Sequence, residues 1–134
     1  MNKIVIDCND SILGRVSSFA AKKALEGNEI ILINSENILI SGNKKNIMAK
    51  YSSLRRKGGH SQKGPKISRL PHMVLKRTIR SMLPDHRWGQ GKASLQRIKC
   101  YQGFPEEFKN EKILNIANDK KIKSIKLGEM LKII

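Results

Sequence analysis

The residues of this chain that could do chemistry are mostly cationic, and they concentrate in its middle. Residues 44–99, the basic segment, hold sixteen Lys and Arg against one acidic residue, Asp85, whereas residues 1–43 hold four basic and five acidic residues. Residues 100–134 are close to balance, with seven against five, so most of the net charge of +16 lies in the basic segment. Self-repulsion of this size lowers stability unless a polyanion neutralises it, which favours nucleic acid as the partner.

The histidines and cysteines do not form a catalytic or metal-binding pattern. His60, His72 and His86 lie in the basic segment, and their spacing suggests no Ser/His/Asp or Cys/His set, so we interpret them as polar residues that face RNA or solvent. Cys8 and Cys100 lie too far apart for a zinc-type spacing and are predicted to be ordinary buried thiols. We therefore expect no enzyme activity, no metal and no cofactor.

A nucleotide-dependent enzyme is a rival hypothesis, because the chain begins with a strand-helix-strand pattern. Dinucleotide binding needs a glycine-rich turn between the first strand and the helix, where the backbone approaches the pyrophosphate. Here that turn is residues 7–11, Asp-Cys-Asn-Asp-Ser, which has no glycine and has two carboxylates that would repel phosphate. The Gly89/Gly91 pair is a weak signal by itself, so the turn argues against this hypothesis.

The elements that must position the cations begin with a near-neutral scaffold over residues 1–43. Apolar residues at 4–6 and 30–33 predict two buried strands, the second over 29–34, joined through a helix. This arrangement is typical of a parallel sheet covered on both faces. A third short strand is predicted at 38–40. Because the sequence starts with a strand-like segment, we expect no leader. No apolar run reaches about 18 residues, so we expect no membrane span.

Helices are predicted on both sides of a long loop. The first helix should be capped by Asp10 or Ser11 and end at Gly27, and a second should start near Asn43. Residues 55–70 are rich in Gly, Lys, Arg and Ser and bury too little to fold alone, so we expect a functional loop whose residues 55–59 become ordered only on RNA.

The helix that follows this loop should carry a basic face. It begins at Pro71, which suits a first helical turn, and ends before Pro84. Its predicted apolar face is Leu75, Ile79, Met82 and Leu83, and its predicted basic face is Lys76, Arg77 and Arg80. Residues 98–101 are predicted as a strand, followed by a Lys- and Asn-rich linker and a terminal amphipathic helix at 127–134.

Phosphate contacts should dominate the interaction with RNA. Aromatic residues make up 4% of the chain, too few for a platform on which bases stack, so we expect recognition of backbone shape in folded RNA. The predicted RNA-binding residues are Lys44, Lys45, Lys50, Arg55, Arg56, Lys57, Gly58, Gly59, His60, Lys63, Lys66, Arg69, Lys76, Arg77, Arg80, Arg87, Lys92 and Arg97.

Several motifs, in order along nearly the whole chain, resemble one known family. They are Asp10-x-Ile12-Leu13-Gly14-Arg15-Val16, Ile33-Asn34-Ser35-Glu36, Ile40-Ser41-Gly42-Asn43, Gly64-Pro65, Arg69-x-Pro71, Arg77-Thr78-Ile79-Arg80-x-Met82-Leu83-Pro84 and Tyr101-x-Gly103-x-Pro105. They resemble the universal family of large-subunit ribosomal protein thirteen, in its archaeal and eukaryotic branch. Ser81 stands where that family usually has glycine, and residues 85–92 depart from its usual pattern.

The resemblance implies a fold, a function and partners. The fold would be a three-layer α/β/α sandwich on a four-stranded parallel sheet, in a single domain with a long basic loop and helical extensions. The function would be that of a structural constituent of the large ribosomal subunit, in the cytoplasm, which binds folded ribosomal RNA and supports subunit assembly and translation. Its partners would be that RNA and neighbouring ribosomal proteins, with no membrane and no small-molecule substrate. The alternative is a nucleic-acid-binding or regulatory protein that acts outside the ribosome.

The single domain over 1–134 would have three parts. Residues 1–43 would be the near-neutral scaffold and residues 44–99 the RNA face. Residues 100–134 would add a strand, a linker and the terminal helix.

Overall fold

The first strand-helix-strand unit forms as its sequence predicts. The computed structural model describes residues 2–57, 68–116 and 123–133. In it, β1 is Lys3–Asp7, α1 is Leu13–Leu25 and β2 is Glu29–Ile33. The two strands pair in parallel along their whole length, from Lys3 opposite Glu29 to Asp7 opposite Ile33. Four of the five residues of β2 are buried, because this strand has neighbours on both sides.

The two ends of α1 differ in how well the sequence predicts them. Gly27 has a φ of +101°, so the left-handed residue that ends the helix lies where it was predicted. The predicted N-terminal cap is wrong, because Ile12 occupies the cap position and no side chain bonds there. The buried Ser11 hydroxyl instead donates to the Asn9 carbonyl oxygen, at 3.3 Å. Asp10, with a φ of +55°, belongs to the same turn before the helix.

Four strands form one parallel sheet, in the order β4 (Ile98–Cys100), β2, β1 and β5 (Ile113–Asn115). The predicted strand at 98–101 is confirmed as β4, Ile98–Cys100. The prediction of a linker after Pro105 is wrong in part, because that stretch contains β5, Ile113–Asn115, which pairs with β1. β5 is an edge strand of three residues with two of them exposed, so it has no continuous apolar pattern.

Helices cover one face of this sheet. They include α1, α3 at Pro71–Ser81 and α4 at Gly89–Gln96, and α1 contacts both of the others. The sheet contributes Ile6, Ile30, Leu32 and Ile98, all fully buried, to the core beneath these helices. Exclusion of this apolar surface from water is the main force that holds the helices on the sheet.

The opposite face of the sheet has a thinner cover in the described residues. Val5, Ile31 and Ile33 pack there against Phe108, which lies in a 3-10 helix at Glu106–Phe108. The Phe108 and Tyr101 rings lie 5.6 Å apart between centroids. The predicted α/β fold, with a four-stranded parallel sheet flanked by helices, is confirmed.

The end of the chain is tied to the scaffold by a second, two-stranded sheet. β3, Leu39–Ser41, matches a predicted strand and pairs antiparallel with β6, Ser124–Lys126, which the sequence did not predict. The predicted terminal helix is confirmed as α5, Leu127–Ile133, which packs on a 3-10 helix at Ser35–Asn37. Every helix within the described ranges is too short or too polar to cross a lipid bilayer.

The helices on either side of the predicted loop differ from their predicted bounds. α2 is Lys44–Arg56, so Arg55 and Arg56 belong to its last turn and the prediction of a loop from 55 is wrong there. Residues 58–67 of that loop lie outside the described residues. The predicted apolar face holds for Leu75 and Ile79 in α3 and for Leu83, which is buried just beyond the end of the helix at Ser81. It does not hold for Met82, which is 43% exposed.

We predict that Gly91 is required for the packing of α4. A β-carbon at Gly91 would collide with the carbonyl oxygens of Pro84 and Asp85. Gly91→Ala should therefore lower the free energy of unfolding by about 1–3 kcal/mol, the usual cost of overpacking. Urea denaturation measures it.

Gly14→Ala is the matched control, because nothing lies within 4 Å of a β-carbon at Gly14. Gly14 is in the first turn of α1, so alanine should leave the free energy of unfolding unchanged or raise it by up to about 1 kcal/mol. Equal effects of the two substitutions would show that α4 does not pack as described.

Candidate nucleic-acid interface

The described lining of a cleft between α2 and α3 contains basic side chains and no acidic ones. Its volume is about 740 Å³, and its floor includes Leu13, Ile47 and Val74. The basic residues that line it are Lys50 from α2 and Arg77 and Arg80 from α3. The other polar groups of its described lining are Ser41, Asn43, Asn46, Tyr51, Thr78 and Ser81, with no Asp or Glu. A concave surface with cations, amides and hydroxyls but no carboxylate attracts anions such as phosphate.

The local sequence explains how α2 comes to form one wall of this cleft. Gly42, with a φ of +129°, allows the turn between β3 and α2, and Asn43 then caps the helix by accepting from the Lys45 backbone N–H at 3.1 Å. Ile47 is the buried anchor of α2, while Lys44, Lys45 and Lys50 are exposed. Burial raises the pKa of Tyr51, so the phenol in the cleft stays neutral and adds no negative charge.

α3 is amphipathic, and it forms a ridge between two depressions. On its apolar face, Leu75 and Ile79 are fully buried in the core. Arg77 and Arg80 line both the cleft and, on the other side, a smaller groove of about 230 Å³ that is also lined by Lys76. Because α3 is fixed on the core, these cations project from a surface that is formed without RNA.

The cations of this surface are largely without acidic partners. The ion pairs described are Lys3–Glu111, Lys23–Glu26, Lys99–Glu29 and Lys109–Glu106. Most of the predicted RNA-binding cations form no ion pair with any described part of the chain, among them Lys44, Lys45, Lys50, Arg56, Lys57, Arg69, Lys76, Arg80, Arg87 and Lys92. Their charges remain available to an external anion.

The other predicted RNA-binding residues are dispersed. Arg56 and Lys57 line a shallow depression at the end of α2, and Arg69 lines a separate groove with Lys126 and Lys132. Arg87 and Lys92 are exposed at the start of α4. The predicted RNA-binding residues that lie outside the described residues are Gly58, Gly59, His60, Lys63 and Lys66.

Arg97 is bonded within the fold. Its Nη1 atom donates to the Ala24 carbonyl oxygen at 2.8 Å, and the side chain is half-buried. That carbonyl is one of the last in α1, where a cation offsets the negative end of the helix. Arg97 lines neither the cleft nor the groove beside α3.

Sequence reasoning missed the neutral polar groups of the cleft. Asn43 and Asn46 bring two amides to its edge, and Thr78 and Ser81 bring two hydroxyls from α3. Their spacing of three residues on each helix is the signal that could have found them, because residues three apart share a helix face. The prediction that His72 faces RNA or solvent holds only in part, since its ring is half-buried and Nδ1 is shielded.

The prediction of buried thiols is confirmed for Cys8, whereas Cys100 is half-buried. Both are free, and burial raises the pKa of Cys8 and raises that of Cys100 to about 12. A thiol held protonated is a poor nucleophile and a poor metal ligand. In the described part of the chain, no group of three or more His, Cys, Asp or Glu could hold a metal ion.

Comparison with known proteins gives one family. Residues 1–107 match the family described as Ribosomal protein L13. The Large ribosomal subunit protein uL13 of Methanosarcina barkeri is 39% identical over 132 residues, which cover 94% of this chain and 93% of that protein. The uL13 proteins of Methanocaldococcus jannaschii and Methanosphaera stadtmanae are 39% and 37% identical, over 96% and 97% of this chain and 94% and 95% of theirs.

Arg97 should matter for stability in a way that an exposed arginine does not. Arg97→Ala leaves the Ala24 carbonyl without its charged donor and should lower the free energy of unfolding by about 1–3 kcal/mol. Arg87→Ala, on the exposed surface, should change it by less than about 0.5 kcal/mol. Thermal and urea unfolding followed by circular dichroism measure both, and an Arg97 variant as stable as wild type would contradict the structural role.

Proposed function

Because this chain belongs to the ribosomal protein L13 family, we propose that it is a structural component of the large ribosomal subunit that holds folded ribosomal RNA through phosphate contacts. The family consists of ribosomal proteins, in agreement with the prediction that the chain is not an enzyme. The relatives named above are archaeal, in agreement with the predicted branch.

The acid-free cleft between α2 and α3 carries this proposal. Lys50 on one wall and Arg80 on the other have no acidic partner in the described residues, and the wall between them offers amides and hydroxyls. Phosphate oxygens accept from the ammonium, guanidinium and amide N–H groups, whereas the Thr78 and Ser81 hydroxyls already donate to the Val74 and Thr78 carbonyl oxygens. Every phosphate neutralised releases counterions from the RNA. An RNA backbone seated in the cleft would therefore be bound by charge and by several hydrogen bonds.

The ridge formed by α3 suggests how two RNA segments could be held together. A backbone in the cleft would meet Arg77 and Arg80 from one side, and a backbone in the groove would meet Lys76 with the same two arginines from the other. The arginine stems rest on a helix that is anchored before RNA binds, so less side-chain entropy is lost on binding. The protein would in this way fix the distance between two RNA segments, which supports subunit assembly without any catalysed reaction.

The remaining predictions fit this proposal. Residues 1–43, with five acidic and four basic residues, serve as scaffold, and the cations of 44–99 form the RNA face. Proteins beside this one in the subunit are expected to contact other faces of the domain. The whole acts in the cytoplasm, within the large subunit.

The cleft makes a quantitative prediction about salt. Lys50→Ala with Arg80→Ala should weaken binding to protein-free large-subunit ribosomal RNA. It should also reduce the slope of log K against log salt by about 1.5, because each phosphate contact contributes roughly 0.7–0.9. Filter binding over a series of salt concentrations measures both, and circular dichroism checks that the fold is retained.

Lys22→Ala with Lys112→Ala is the matched control, since it removes the same charge from exposed positions that line none of the described cleft or grooves. It should change the affinity and the slope far less. If both double variants lose affinity equally, RNA responds to net charge and not to the cleft.

The cellular prediction is that the endogenous protein co-sediments with large subunits in moderate salt. A protein found mainly in the soluble fraction would support the rival hypothesis of a nucleic-acid-binding protein outside the ribosome. Calorimetry with free nucleotides tests the enzyme hypothesis, and saturable micromolar binding would count against the structural role.

A further inference from the structure

The single tryptophan of the chain is held with its ring largely in solvent. Trp88 is 66% exposed, more than any other large hydrophobic residue in the described ranges. Its ring makes no contact with another aromatic ring or a cation there. Leaving so large an apolar ring in water is unfavourable, so the exposure points to a partner that covers it.

The turn that carries Trp88 is fixed by the structure around it. The Asp85 carboxylate accepts from the Arg87 backbone N–H at 3.0 Å. Gly89, with a φ of +62°, allows the chain to enter α4, and Gly91 packs directly on the backbone at Pro84 and Asp85. The tryptophan is therefore presented from a defined position at the start of α4.

The surroundings of the ring are cationic. Arg87 and Lys92 are exposed beside it in sequence, and neither forms an ion pair with a described residue. Asp85, the one acidic residue of the basic segment, has an oxygen engaged by the backbone of its own turn. An apolar protein partner would have to bury these charges, whereas RNA offers both an aromatic surface for the ring and phosphates for the cations.

We propose that Trp88 stacks on an unpaired base of the RNA, while Arg87 and Lys92 contact the phosphates that flank that base. This inference rests on the proposed RNA-binding function and adds a base contact to an interface made otherwise of phosphate contacts. An indole ring stacks on any base, so Trp88 would recognise where an unstacked nucleotide lies and not which base it carries.

The fluorescence of the protein tests this proposal directly, because Trp88 is the one tryptophan and no other residue obscures its signal. Protein-free large-subunit ribosomal RNA should quench the emission strongly when it binds, since a stacked base quenches an indole. Heparin, a polyanion without bases, and a fully paired RNA duplex should bind the cationic surface with little quenching. Equal quenching by heparin and ribosomal RNA would overturn the proposal.

Two variants separate stacking from charge. Trp88→Ala should weaken binding to the ribosomal RNA about five- to a hundred-fold and leave the salt slope unchanged, because no charge is lost. Trp88→Phe should recover part of that affinity. Arg87→Ala should lower the slope by about 0.7–0.9.

The outcomes distinguish this inference from the function on which it rests. If wild-type protein does not bind ribosomal RNA, the proposed function fails. If it binds without quenching and Trp88→Ala binds equally well, the function stands and the stacking fails. If acrylamide still reaches the tryptophan in the RNA complex but not in intact large subunits, the ring is covered by a neighbouring protein, and the proposal is overturned.

Discussion

Repulsion between like charges is the constraint on which this structure depends. α2 and α3 bring Lys50, Arg77 and Arg80 to one cleft whose described lining contains no carboxylate, so the fold must hold together groups that repel each other. The apolar core supplies that hold. Leu75 and Ile79 anchor α3 to the rest of the protein, and burial of such side chains outweighs the repulsion of partly solvated cations.

The two walls of the cleft, α3 and α2, are anchored to the core to different degrees, and this determines which of them can move. α3 buries four of its residues, whereas α2 buries Ile47 alone. The wall formed by α3 is therefore fixed before a partner arrives, and α2 has fewer contacts to resist adjustment. This arrangement suits the proposed binding of an RNA backbone, because α2 can adjust without disturbing the sheet.

Cations of the same type serve different purposes here, and position decides which. Arg97 and Lys99 flank Ile98 of β4. Arg97 donates a hydrogen bond to the end of α1, and Lys99 forms an ion pair with Glu29, so both side chains have partners within the protein. Arg80 and Lys50 come from the faces of α3 and α2 that line the cleft, and neither forms an ion pair with a described residue. A count of charges alone therefore overstates the proposed RNA-binding surface, because some cations are bonded within the protein.

The sequence by itself determined the first strand-helix-strand unit, the basic segment and the family, because periodicity, composition and motifs are local properties of the chain. It also indicated α3, whose buried residues recur at helical spacing. Only the tertiary structure decided that Lys50 and Arg80 share a cleft while Arg97 bonds to α1, since these contacts join segments far apart in sequence. β5 and β6 likewise depend on distant partners, because three residues are too few to carry a strand pattern of their own.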